Sequence, residues 1–282
     1  MMLSRFSLAA IVALSLTLTA CQSLSPLTVP DVKAESQARI AVQSGDFSSA
    51  AQQYEALAKS SGGTHRSRLY IQAVSAYWQL GQVEQARVTL AKIDREQLTS
   101  NLAFDISVLE ANFAIQVLNA SQALSLLEPY RADQLTARQQ RTLYRTRIQA
   151  YQISENWLEM ANSHIRLDNL LPDSEREANQ QQLWQALMML TPEALDLFNP
   201  GFPPSTDSGW FTLAHIIKTY QNNPDVLIVA IEDWQRSYPN HPALPSIYDQ
   251  EIETIGTLLP KQIGHIAILL PASGPYAEVA RA

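Results

Sequence analysis

HRSRLYIQAVSAYWQLGQVEQARVTLAKID, residues 65–94, is the stretch that decides the fold. Leu69, Ala73, Ala76, Tyr77 and Leu80 recur at the spacing of one helix face, and after Gly81 a second apolar stripe begins with Val83, Ala86, Leu90 and Ile93. Two helices meeting at a glycine make a hairpin. Gly81 takes the left-handed conformation that closes the first helix, and the small Ala73, Ala76 and Ala86 let the two backbones approach closely.

The pattern returns on both sides of this hairpin. An offset of 36 sets Gly45 on Gly81, Phe47 on Val83, Ala50 on Ala86 and Tyr54 on Leu90. An offset of 37 sets Ala123 and Leu127 on Ala86 and Leu90, and one of 74 sets Ala150, Tyr151, Trp157 and Leu167 on Ala76, Tyr77, Val83 and Ile93. A helix-pair period of about 34 residues resembles the tetratricopeptide repeat, here without its usual Trp and Pro positions in most units. An irregular helical bundle is the competing reading, and it would lack a period shared between pairs. Four pairs fit between Asp31, which caps the first helix, and Asp168. Gly45, Gly81, Asn119-Ala120-Ser121 and Ser154-Glu155-Asn156 are joints within pairs, while Gly62-Gly63 and Glu128-Pro129 separate one pair from the next. The expected fold is all-α, a tetratricopeptide-like superhelix whose concave face holds a partner.

Beyond Asp168 the helices continue without the repeat. Leu171-Pro172-Asp173-Ser174 is a break with a cap, and Glu175 to Leu190 is one helix with Leu183, Trp184, Leu187 and Leu190 on its apolar face. Thr191 caps the next, with Pro192 at its first position. Asn199 to Pro204 is loop, and helices over 208–220 and 224–238 follow. Trp184, Trp210 and Trp234, flanked by leucines at helical positions, read as core. This helical domain spans 31–260. Ile266-Ala267-Ile268-Leu269-Leu270 is a short apolar run with the character of a buried parallel strand, and Ser273-Gly274-Pro275 turns from it into helix. Residues 264–282 thus read as the truncated start of an α/β domain.

The amino terminus reads as an address. Arg5 and the apolar Leu8 to Leu18 make residues 1–20 a signal peptide, and Leu18-Thr19-Ala20-Cys21 has the spacing of a bacterial lipobox. Cys21 is the single cysteine, so no internal disulfide can form, and lipidation at Cys21 accounts for a thiol otherwise left over in an exported protein. Residues 21–30 are a Pro-containing tether. By resemblance to bacterial lipoproteins, Cys21 becomes the first mature residue and carries the lipid, and Gln22 in place of Asp implies the outer membrane, facing the periplasm.

Several functions are disfavoured. A formal charge of −7 with no concentrated basic surface argues against nucleic acid as a partner. The closest basic residues, Arg138, Arg141, Arg145 and Arg147, read as a solvated helix face rather than an anion site. His164 and Asp168, at i and i+4, are the one local couple with ligand geometry. Two ligands are too few for a zinc site, and a solvated or capping role is the expectation. Gly-rich phosphate loops and nucleophile elbows are absent, and no catalytic residue, cofactor or metal is expected. Carboxylate pairs that meet only in space stay open.

Taken together, the lipobox, the helix pairs, WQRSYPNHPALP at 234–245 and IAILLPASGP at 266–275 resemble the outer-membrane lipoprotein activators of class A penicillin-binding proteins. The resemblance implies a non-enzymatic regulator that binds such a peptidoglycan synthase and stimulates crosslinking. It also implies a periplasmic-binding-protein type I fold for the domain opened at 264–282. Two alternatives stand beside it: a tetratricopeptide scaffold of an envelope assembly complex, and a small-molecule receptor with its cleft near Ser273.

Overall fold

The computed structural model describes residues 31–96 and 98–248. The signal segment 1–20, the tether 21–30 with Cys21, residues 249–260, and the strand and turn expected within 264–282 lie outside the described residues. Those described form α1 (Val32–Gln43), α2 (Phe47–Ser60), α3 (Gly63–Gln79), α4 (Val83–Leu90), α5 (Ser100–Gln116), α6 (Ala120–Leu127), α7 (Ala137–Ile153), α8 (Trp157–Asp168), α9 (Asp173–Met188), α10 (Pro192–Leu197), α11 (Thr206–Tyr220) and α12 (Pro224–Ser237). No strand occurs among them. The expected boundaries hold closely. The cap before α9 differs, since Pro172 precedes its first turn without a side-chain hydrogen bond, and the acidic Asp173 and Glu175 face the positive helix end instead.

The period is written into the backbone at the joints. Gly45, Gly81, Leu118 and Glu155, separated by 36, 37 and 37 residues, all have positive φ, at +79°, +70°, +58° and +53°. At each joint the next N–H reaches back five residues: Asp46 to Ala41 O (2.8 Å), Gln82 to Tyr77 O (3.0 Å), Asn119 to Ala114 O (2.8 Å) and Asn156 to Tyr151 O (3.0 Å). This is the hydrogen-bonded left-handed ending that satisfies otherwise orphaned carbonyls. Asp46, Asn119 and Asn156 then cap the following helix, accepting from the N–H of Ser49, Gln122 and Glu159. Five residues past the first three joints stand Ala50, Ala86 and Ala123, each fully buried. Leu80 departs from expectation: it is the cap residue of α3 and stays exposed, because the apolar stripe ends one turn earlier at Tyr77.

Two of these joints carry side chains where glycine is favoured. A Cβ in the left-handed region costs about 1–2 kcal/mol, and glycine's extra freedom in the unfolded chain returns part of that. Leu118→Gly and Glu155→Gly, both at exposed positions, are therefore each expected to stabilise by roughly 0.5–1 kcal/mol. Urea denaturation showing either one destabilised would remove the left-handed joint from the account.

Contacts divide the chain between Ala103 and Phe104, within α5. In the first unit α1 packs on α2, α2 on α3, and α3 on α4. A single buried carboxylate ties three of its segments: Glu55 on α2 accepts from Tyr77 Oη on α3 (2.8 Å) and from Lys92 Nζ beyond α4 (2.6 Å). The Lys92 bond holds the Glu55 carboxyl below its usual range, and burial together with the Glu55 bond pushes the Tyr77 phenol up to about 12. In the second unit one apolar cluster joins α5, α6 and α7 around Phe104, Ala123, Leu127 and Leu143. A larger one runs from α7 to α12 and holds Leu183, Trp184, Trp210, Phe211 and Trp234, so the three tryptophans are core as expected.

Candidate functional site

Two features of the second unit gather polar chemistry. The first is a buried cluster between α8 and α9. His164 and Asp168 lie on one face of α8, with 1% and 4% of their surface exposed, so the expectation of a solvated or capping role is overturned. Their partners come from α9. Asn179 Nδ2 donates to His164 O (3.1 Å) and Asp168 Oδ1 (2.9 Å), and Gln180 Nε2 donates to Asp168 Oδ2 (3.0 Å) and Pro242 O (3.0 Å). Gln180 Oε1 accepts from Leu244 N–H (3.1 Å), so one glutamine grips the chain beyond α12 at two points. With both amide hydrogens of Asn179 committed, its Oδ1 is the acceptor for His164 Nδ1 at 2.7 Å, which fixes the imidazole tautomer with the proton on Nδ1. Gln180 was legible as unusual: it sits on the same helical stripe as Leu183, Trp184 and Leu187, where an apolar residue is the norm.

A second histidine closes the same region. His241 Nδ1 accepts from Ala243 N–H (3.2 Å), so Nε2 carries the proton and donates to Thr206 O (2.9 Å). Its ring stands edge-on to Trp210 and Trp234, with centroids 5.0 Å from each. Burial pushes both His164 and His241 below the ordinary imidazole pKa of 6.5; the hydrogen bonds of Asn179 and Thr206 and the charge of Asp168 oppose this without cancelling it. The unfolded chain therefore binds more protons than the fold below about pH 6.5, so this part of the stability is complete above 6.5 and declines as the pH falls beneath it. Melting between pH 8 and 5 should show that decline, and His164→Gln/His241→Gln should flatten it. An equal slope in the double variant would assign the acid sensitivity to other groups.

The second feature is a groove of about 740 Å³ formed by the Asn199–Pro203 loop, α11 and α12. Its floor is a chain of hydroxyls: Ser208 donates to Gly201 O (3.0 Å), Tyr238 Oη lies 3.0 Å from Ser208 Oγ and 3.2 Å from Thr212 Oγ1, and Asn199 Nδ2 donates to Thr212 (3.2 Å). Those bonds satisfy the floor and pin the loop, leaving Phe202 at the rim 85% exposed beside Asp196 and Asp233. Such a groove of ligand-binding size can hold a partner segment.

The arginine row is more than a solvated face. Arg147 donates to Leu127 O (3.1 Å), the last residue of α6, and to Tyr130 O (3.3 Å) beyond it, Arg141 donates to Leu170 O (3.2 Å) after α8, and Arg145 pairs with Glu175 of α9 at 2.5 Å. Lys218 does the same at the end of α9, meeting Met188 O (2.6 Å) and Leu190 O (2.5 Å). Cations at helix carboxyl ends complete orphan carbonyls and oppose the dipole. Among the described residues no group of three His, Cys, Asp or Glu is placed to hold a metal, and no helix is long and apolar enough to cross a membrane.

Helix pairs on a 36–37-residue period, joined to helices that enclose a groove, define a helical-repeat protein. The chain belongs to the LppC family of envelope lipoproteins, whose model matches residues 45–282. It is 27% identical over 271 residues to the penicillin-binding protein activator LpoA of Vibrio vulnificus, covering 96% of this chain and 43% of that protein. It is 28% identical over 180 residues to the penicillin-binding protein activator LpoA of Escherichia coli K12, covering 64% and 25%. The chain thus spans less than half the length of these curated relatives. Among solved structures, the amino-terminal domain of E. coli LpoA matches with a TM-score of 0.56 at 21% identity, over 78% of this chain and 92% of that one. Full-length LpoA of Haemophilus influenzae matches at 0.54 and 21%, over 80% and 41%. These likenesses establish the helical fold as that of the LpoA amino-terminal domain.

Proposed function

We propose that this chain is the helical region of an outer-membrane lipoprotein that binds and stimulates a class A penicillin-binding protein, raising crosslinking during peptidoglycan synthesis. The observation that carries the reading is the 27% identity to a named penicillin-binding protein activator across 96% of the chain. A partner can activate only through its preference for the active conformation of the synthase, so differential affinity is the quantity that matters. In this reading lipid on Cys21 fixes one end at the outer membrane, the helix pairs supply stiff reach, and the domain opened at 264–282, of periplasmic-binding-protein type, presents the contact.

A reconstituted synthesis assay tests it. The whole lipoprotein should raise crosslinking by a class A enzyme, whereas residues 31–260 should not. Stimulation by the helical region alone would move the contact surface into the repeats, and no stimulation by the whole protein would overturn the reading. Separately, Cys21→Ser should abolish lipid addition, and an unmodified Cys21 in the mature wild-type protein would overturn the anchor.

A further inference from the structure

The groove at α11 and α12 has the length and the walls of a helix-binding surface. Its α11 side runs from Ser208 through Thr212 and Ile216 to Tyr220, a rise of ~18 Å at ~1.5 Å per residue. Ser208 and Thr212 on this side, and Ala230 and Ser237 on α12, are small, so a third helix can come as near as the ~8–10 Å usual between packed helices. Larger apolar groups stand among them. Phe202 is 85% exposed, Ile216 and Tyr220 are half-buried, and the exposed Val226 lies one turn before Ala230 on the same stripe of α12. Exposed apolar surface gathered along a groove marks a place where another protein sits.

Charge and backbone chemistry narrow the occupant. From Thr191 to Tyr248 the chain has six carboxylates and two cations, Lys218 and Arg236. Both cations are committed, Lys218 to the carbonyls of Met188 and Leu190 and Arg236 to Asp233 within α12. Among the described residues lining the groove the charged ones are Asp196 and Asp233, and Asp196 is exposed and pairs with no cation. The hydroxyls of the floor are bonded to one another and to Gly201 O, so discrimination falls to the apolar groups and to Asp196. Two helical walls present no unpaired strand edge, so an extended segment would gain no ladder of backbone bonds, whereas a helix satisfies its own backbone and offers only side chains. We propose that this groove is a docking site for a cationic amphipathic helix of another protein, its apolar face against Phe202, Ile216, Tyr220 and Ala230 and a lysine or arginine meeting Asp196. The surface is separate from the contact assigned to the domain opened at 264–282, and the inference does not rest on penicillin-binding protein activation.

Selection from a displayed library of random peptides, each about 15 residues and so long enough to span the groove as a helix, tests the chemistry without presupposing the partner. The whole protein is the bait, and Phe202→Ala/Asp196→Lys is the counter-selection. Both side chains are exposed, so melting of the variant should match the wild type. Enriched peptides should place apolar residues at i, i+3, i+4 and i+7 with Lys or Arg between them. A synthetic peptide of that consensus should gain helical circular dichroism on binding. Phe202→Ala should weaken it about tenfold or more, as loss of an aromatic anchor does, and Asp196→Lys about tenfold, with the second loss shrinking as salt is raised. An enriched consensus that is acidic, or rich in proline and without helical spacing, would overturn the proposal. So would the absence of any consensus, or binding indifferent to both substitutions. Concentration-dependent dimerisation of the protein that the double variant abolishes would give the groove to a second copy of this chain and overturn it as well.

Discussion

Gly209→Ala is expected to cost stability at or above the upper end of the roughly 1–3 kcal/mol typical of overpacked cores. Gly209 lies inside α11, where alanine would ordinarily be the better helix former by about 1 kcal/mol. The neighbours reverse the sign. A Cβ built there would stand 2.3 Å from Cδ2 and 2.5 Å from Nε2 of His241, and 3.1 Å from a ring carbon of Tyr238. The imidazole cannot step aside without loss, because Nε2 donates to Thr206 O, Nδ1 accepts from Ala243 N–H, and Trp210 and Trp234 flank the ring. Gly209 O also accepts from Trp234 Nε1 at 2.9 Å, so moving α11 away would break the bond that holds α12. A double-mutant cycle checks the cause. His241→Ala removes the obstructing ring, and in that background Gly209→Ala should be close to neutral or slightly stabilising. Equal costs in both backgrounds would show that the glycine is needed for something other than the ring.

That contact explains why 234–245 is a distinctive stretch. Trp234, Tyr238 and His241 form the packed closure of the second unit, and Pro242 to Leu244 is held by Gln180. Its specificity is structural.

The helix pairs were legible because the signals were local: Gly45 and Gly81 mark left-handed joints, and Ala50, Ala86 and Ala123 mark close crossings. The joints at Leu118 and Glu155 have the same geometry but no glycine. There the cap residues Asn119 and Asn156 were the remaining clue, and the bonds back to Ala114 and Tyr151 hold the strained φ in place. The arginine row was misjudged for a different reason. Helical spacing places its side chains on a face but does not reveal that the ends of α6 and α8 and the start of α9 come within reach. His164 and Asp168 failed similarly. Their i, i+4 relation was evident, yet what satisfies their polar atoms in burial is Asn179 and Gln180, and Gln180 in turn holds a segment 62 residues further on. Polar networks assembled from distant segments leave only a faint trace in sequence, here a glutamine on an apolar stripe.

That network sets up the other large effect. Asn179 simultaneously accepts from His164 Nδ1 and donates to Asp168 Oδ1 and His164 O, so Asn179→Leu strands an N–H and a carboxylate oxygen in one buried place. Breaking a buried network that contains a charge costs roughly 3–5 kcal/mol, less than the sum of its bonds because neighbours relax. Asn179→Asp makes a sharper test, since shape is kept and only the donor is lost. At neutral pH the new carboxylate faces Asp168 across the former 2.9 Å hydrogen bond, and two carboxylates that close cannot both remain ionised cheaply. One of them acquires a folded pKa raised above its unfolded value, which contributes stability at low pH that is lost as pH rises through that pKa. Protonation of His164 between the two carboxylates acts in the same direction. The wild-type protein should therefore lose stability from pH 7 to 5, whereas Asn179→Asp should gain it over the same interval. Urea midpoints at the two pH values decide the matter: slopes of the same sign in both proteins would mean that Asn179 does not govern the charge balance of His164 and Asp168.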